Sequence, residues 1–164
     1  MNVLITMMGR SVWGLFNSSW AALRQRSFVP QRIYILTAGC DRNDAEIAAR
    51  MLKVLMREHG SDVDVRIETV PEEDVAGVAE TVKRITTSER QTGARIALDV
   101  TPGKKSMVIG ALLSGLARNE FDQIFYLYLE DLRNAARPYI EIPLHLQKSH
   151  DILKEGKPGA KEEG

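Results

Sequence analysis

Short apolar runs, each divided from the next by a segment with helical periodicity, restrict what this 164-residue chain can fold into. The runs are Val3 to Thr6, Arg32 to Thr37, Val63 to Val70, Ala94 to Leu98 and Gln123 to Leu129. Val12 to Arg26 reads as a helix with Trp13, Phe16, Trp20 and Leu23 on one face. Asp41 or Asn43 can cap a second helix running to His59, with Ile47, Met51, Val54 and Leu55 inward and Gly60 just past its end. Pro71 opens a third to about Arg90, with Val75, Val78, Val82 and Ile85 inward. A fourth covers Lys104 to Arg118. Strand–helix alternation with nearly continuous apolar central strands predicts a parallel sheet covered on both faces. With right-handed crossovers, the expected class is α/β, a doubly wound Rossmann-like sheet of five parallel strands with helices on both faces. Tyr139 to Ile142, closed by Pro143, has room for a sixth strand. This domain is expected over residues 1–145, and residues 146–164 read as a polar, mobile tail.

In the order 3-2-1-4-5 the switch point falls between strands one and four. Ligands bind there, at the carboxyl ends of the flanking strands. One of those ends is Leu98-Asp99-Val100-Thr101-Pro102-Gly103-Lys104-Lys105-Ser106-Met107. A strand closes in an acid, a Thr-Pro-Gly turn follows, and two lysines open a helix. Lysines oppose the macrodipole at a helix N-terminus, where backbone N–H groups are also unpaired. An anion at that spot resolves both conflicts. The other end holds Gly9, Arg10 and Ser11, where Ser11 can cap the first helix and also offer a hydroxyl to phosphate. Thr37-Ala38-Gly39-Cys40 ends strand two beside the same crevice and could shape a base or ribose pocket, through Thr37 and Gly39.

Composition narrows the ligand. Lys plus Arg and Asp plus Glu both number 22, for a formal net charge of zero. A broad footprint for long nucleic acid is therefore not expected, whereas a small anion in a local basic pocket is. No apolar stretch approaches the about 18 residues of a membrane helix. The start lacks the basic n-region of a signal peptide. Cys40 is the single cysteine, which suits a reducing, cytoplasmic setting. It reads as a small buried hydrophobe rather than a nucleophile. His59, His145 and His150 show no metal-ligand spacing, so no metal is expected. Gly9 has no glycine partner for a dinucleotide fingerprint, and Gly103-Lys104-Lys105-Ser106 is not a P-loop, so no organic cofactor is expected either. Asp99 reads as a strand-end carboxylate that accepts turn N–H groups, and Asn17 as a surface helix residue. Trp13 and Trp20 suit core packing better than base stacking. Gly110, Ala111, Ser114 and Gly115 permit close approach of the sheet or of a two-fold partner helix.

Asp99 through Met107 resembles the D-x-T-G-G-T-K-x-M signature of CRISPR-associated Rossmann fold (CARF) domains, at the same place between strand four and helix four. The first loop with Ser11 is similar to the family's first ligand-binding loop. The resemblance spans residues 1–145. Pro102 stands where the family has glycine and Lys104 where it has threonine. It implies a homodimer that binds a cyclic oligoadenylate, cA4 before cA6, across its two-fold axis in type III CRISPR antiviral defence. The contacts it implies are Gly9, Arg10, Ser11, Thr101, Gly103, Lys105 and Ser106, in a site also framed by Asp99, Pro102 and Lys104. An effector domain or protein commonly accompanies such a sensor. The chain is then either a module cut from a longer one or a stand-alone protein. The stand-alone case suggests a slow, metal-independent ring nuclease leaving 2′,3′-cyclic phosphate ends, with Lys105 and Ser11 as catalytic groups. The competing reading is a generic nucleotide- or phosphate-binding Rossmann protein outside CRISPR immunity.

Overall fold

The computed structural model describes residues 1–156. Six strands form one sheet: β1 (Asn2–Met7), β2 (Arg32–Thr37), β3 (Asp64–Thr69), β4 (Arg95–Asp99), β5 (Gln123–Leu129) and β6 (Gln147–Asp151). Their order is β3-β2-β1-β4-β5-β6, parallel except for antiparallel β6. The doubly wound arrangement and its switch point between β1 and β4 are therefore as expected. The helices are α1 (Val12–Arg26), α2 (Arg42–Glu58), α3 (Val75–Gln91), α4 (Lys105–Leu116) and α5 (Ile152–Glu155). No helix among the described residues is long and apolar enough to cross a membrane.

Two apolar layers sandwich the sheet. Leu4, Ile33, Ile35 and Phe125 face α1 and α2, meeting Leu15, Phe16, Leu52 and Met56. Val3, Ile5, Leu36, Ile96 and Leu98 face α3 and α4, meeting Val78, Val82, Ile85 and Met107. Alternate residues of one strand serve opposite layers, as the period of two requires. Trp13, Phe16, Trp20 and Tyr139 form an aromatic ladder along α1, with neighbouring centroids 5.4–6.1 Å apart. Trp13 and Trp20 thus pack on the core, as expected.

The small residues of α4 serve packing inside the chain. A Cβ on Gly110 would lie 2.6 Å from the Val75 carbonyl oxygen, and one on Gly115 would lie 1.9 Å from the Phe121 ring. These glycines thus meet neither the sheet nor a partner helix, the two expected neighbours, but α3 and Phe121 of the same chain. On the opposite face of α4, Ile109, Leu113 and Leu116 stand 49, 63 and 52% exposed.

On α2, Ile47 and Val54, expected inward, are 40 and 60% exposed, and three expectations about element bounds also need correction. The third helix begins at Val75, not Pro71, because Asp74 caps it by accepting the Gly77 N–H at 3.0 Å. Pro71 to Glu73 is instead a loop over the carboxyl edge. Tyr139–Glu141 is a 3-10 turn, and the sixth strand is Gln147–Asp151. Residues 147–156, expected as mobile tail, therefore belong to the sheet and its flank. Gln147, Ser149 and Asp151 are buried, and Arg26 of α1 holds both the Ser149 carbonyl and Glu155. The rest of that expected tail, 157–164, lies outside the described residues.

Candidate functional site

The loop after β1 and the loop after β4 meet at the switch point so closely that their backbones touch. A Cβ on Gly9 would stand 1.6 Å from the Pro102 carbonyl oxygen, so no side chain fits there. Gly103 is equally confined: its Cβ would lie 2.6 Å from Val108 and 2.7 Å from the Met7 sulfur. These glycines seat the two loops as one surface. It lines an open cavity of about 750 Å³ formed by Gly9, Arg10, Glu72 and Pro102 through Ser106.

A buried carboxylate underlies this surface. Asp99 is 1% exposed and accepts hydrogen bonds from the Ser18 hydroxyl (2.5 Å), the Thr6 hydroxyl (3.0 Å) and the Thr101 N–H (3.0 Å). Burial pushes its carboxyl above the usual carboxylate range, and these donors oppose that shift. Thr101 in turn accepts the Leu127 N–H at 2.8 Å. Asp99 and Thr101 thus fasten β1, α1, β4 and β5 beneath the cavity without lining it.

Arg10 and Lys105 border the cavity, and among the described residues neither pairs with a carboxylate. Helix α4 opens there with no side-chain cap and no acid in its first turn. Its leading N–H groups and dipole are therefore open to an anion. Lys104 also lines the cavity, but its ammonium sits 2.7 Å from Asp41 and 2.8 Å from Glu72. Hydrogen bonds to Asp41 and then Glu72 hold it well above the ordinary lysine range. The Ser106 hydroxyl donates to the Glu72 carbonyl at 2.6 Å. Ser11 caps α1 by accepting the Trp13 N–H at 3.2 Å, next to Arg10.

Gly9, Arg10, Pro102, Gly103, Lys104, Lys105 and Ser106 are thus brought together, whereas Ser11, Asp99 and Thr101 frame them from behind. Thr37 and Gly39 stand apart from the cavity: Thr37 is buried, and Gly39 starts a 3-10 turn that delivers Asp41 to Lys104. Cys40 is exposed, not buried, because that turn lifts it off the core. Cys40, Asp41 and Glu72 have ligand atoms within 4.8 Å of one another, with the Lys104 ammonium as the cation between the two carboxylates. Asn17 is not a surface residue. It is 2% exposed, and its amide donates to the Arg137 carbonyl at 2.7 Å. Glu72 escaped the sequence reading, although its place after β3 at the carboxyl edge was a usable signal. A second cavity of about 520 Å³ adjoins through Gly14 and Thr101, with Tyr126, Tyr128 and Leu132 on its walls.

No protein-family model and no curated protein matches this chain. Solved structures share its fold. Csm6 of Enterococcus italicus, bound to cyclic hexa-2′-fluoro-hexa-dAMP, has a TM-score of 0.62 at 13% identity over 93% of this chain and 42% of its own. A type III CRISPR defence DNA nuclease activated by cyclic oligoadenylate has a TM-score of 0.56 at 17% identity, over 78% of this chain and 19% of its own. Can2 of Sulfobacillus thermosulfidooxidans, in complex with cyclic tetra-adenylate, has 0.55 at 17% identity, over 82% and 33%. The chain spans less than half the length of each.

Proposed function

We propose that this chain is a CARF-type sensor module that binds a cyclic oligoadenylate, cA4 in preference to cA6, in type III CRISPR defence. The observation that carries this reading is the cavity between the β1 and β4 loops. There an uncapped helix N-terminus, Lys105 and Arg10 converge at the switch point. The similarity of Asp99 to Met107 to the CARF signature and the fold shared with cyclic-oligoadenylate-binding proteins support the same ligand class.

A two-fold-symmetric ring calls for two copies of the cavity. The exposed Ile109, Leu113 and Leu116 stripe supports pairing, since it starts one turn beyond Lys105 on the helix that opens at the cavity. Two copies joined along it would turn their cavities toward a common axis. Arg10, Lys105 and the α4 N–H groups would hold the phosphates, with Gly9, Pro102 and Gly103 forming the wall against which the ring lies.

Slow ring cleavage is the enzymatic extension of this reading. A ribose 2′-oxygen would attack its own 3′-phosphorus, the bond to the next 5′-oxygen would break, and the 2′ proton would pass to that leaving oxygen. Lys105 would stabilise the phosphorane-like charge, and the Ser11 hydroxyl would add to it by turning its proton toward the cavity from its cap on α1. No histidine lines the cavity, so a modest rate is expected.

Incubation with cyclic tetra- and hexa-adenylate in EDTA, following melting temperature and ring integrity together, tests all of this. Stabilisation with an intact ring means a sensor, and linear products with 2′,3′-cyclic phosphate mean a ring nuclease. Stabilisation by mononucleotides alone would establish the generic nucleotide-binding reading instead.

A further inference from the structure

Lys104 stands in the mouth of the cavity, yet its charge is spent inside the protein. Its ammonium bridges Asp41 at 2.7 Å and Glu72 at 2.8 Å. Those residues belong to the loops after β2 and β3, and Lys104 itself closes the loop after β4. Ser106 adds a second stitch by donating to the Glu72 carbonyl at 2.6 Å. Asp41 immediately precedes α2 but makes no capping bond to it, because its carboxylate is turned to Lys104. Arg10 and Lys105, by contrast, pair with no carboxylate among the described residues.

We propose that Lys104 is a positioning residue: with Asp41 and Glu72 it forms a strap that seats the cavity wall, and it does not hold the anion. The two carboxylates neutralise Lys104 and also repel phosphate from the β2–β3 side. The bound anion is thereby confined to Arg10, Lys105 and the start of α4. The identity of the ligand rests on the cyclic-oligoadenylate reading, whereas the strap itself does not.

The test compares wild type with Lys104→Met, Lys104→Arg, Lys105→Met and the double variant Asp41→Asn, Glu72→Gln. Binding of cyclic tetra-adenylate and of tripolyphosphate is measured by calorimetry over a range of salt concentrations. Each charge contact to an anion adds to the salt dependence of binding. K105M should flatten that dependence and lose on the order of tenfold or more in affinity. K104M should weaken binding only a few-fold while keeping the wild-type salt dependence, and K104R should restore affinity. The double variant releases Lys104 and removes two like charges, so it should bind tripolyphosphate several-fold more tightly with a steeper salt dependence. A K104M salt dependence as flat as that of K105M would overturn the strap.

Tripolyphosphate binding without cyclic tetra-adenylate binding would sink the ligand reading and leave the strap standing. If the wild type binds neither anion, thermal double-mutant cycles decide. Coupling of Lys104 to Asp41 and Glu72 sustains the strap, and simple additivity overturns it.

Discussion

Gly9 and Lys105 make different demands on the same surface, and substitutions separate them. Any side chain at Gly9 meets the Pro102 carbonyl, so Gly9→Ala should push the two loops apart. Overpacking of this kind costs about 1–3 kcal/mol, and ligand affinity should fall with the melting temperature. An unchanged melting curve would show that the loops do not touch as described. Lys105 is exposed and has no ion-pair partner among the described residues. Lys105→Ala should therefore leave the melting temperature unaltered. A charge-assisted contact is worth about 1.5–3 kcal/mol, so cyclic tetra-adenylate affinity should drop on the order of 10- to 100-fold by calorimetry. Unaltered affinity would remove Lys105 from the site. The lysine turn was legible in the sequence because paired lysines at a helix start conflict with the dipole. The Asp41–Lys104–Glu72 group was not, since it joins residues 31 to 63 positions apart and no local pattern encodes such a pairing. Asn17 was misplaced for a similar reason. Its partner, the Arg137 carbonyl, comes from a loop that folds back over α1.

Helix α4 presents two unlike faces. Gly110 and Gly115 are pressed onto α3 and Phe121, while Ile109, Leu113 and Leu116 look outward. Leu113→Asp should leave the fold intact, shift the chain to monomer in light scattering, and weaken binding of the two-fold ring. A wild type that is itself monomeric in the presence of ligand would refute pairing along this stripe. Helix α5 supplies a pH-dependent clasp. Burial pushes the Glu155 carboxyl up, but bonds from His150 (2.5 Å), the Asp151 N–H (3.2 Å) and Arg26 (3.0 Å) bring it below its ordinary 4.5. A carboxylate lowered by folding stabilises the native state above its unfolded value, and that contribution fades as pH drops through the folded value. Protection factors of the α5 and β6 amides, with the intrinsic exchange rate divided out, should therefore fall below about pH 4.5. Glu155→Gln should show the lower protection already at neutral pH, and identical profiles would refute the clasp. Elements with apolar periodicity were readable: α1, β2 and β5 lie where the pattern placed them. Strand β6 was not, because its buried positions are Gln147, Ser149 and Asp151, and polar residues that find partners inside leave no hydrophobic alternation.

For the whole molecule, β6 decides whether the sheet keeps an open edge at β5. It covers the edge of β5 through five residue pairs and places Asp151 where it accepts from the Ile124 N–H and the Gln123 amide. A chain ended at residue 146 should melt lower and aggregate, since β5 would present an open edge. A chain ended at residue 156 keeps β6 on that edge and should melt higher and aggregate less than the one ended at 146. Equal behaviour of the two truncations would contradict the six-stranded sheet. The parallel layout and the switch point followed from strand–helix alternation alone, because a crossover helix between parallel strands has only one common hand. The reversal of β6 has a mechanical corollary. Strands β1 to β5 all run toward the sheet edge that carries the cavity, but β6 travels the other way and takes the backbone to the amino-terminal rim. The backbone at residue 156 thus stands at the pole opposite the cavity. An event at the cavity would reach that pole along the strands, as tension runs along a rope fixed at the far end.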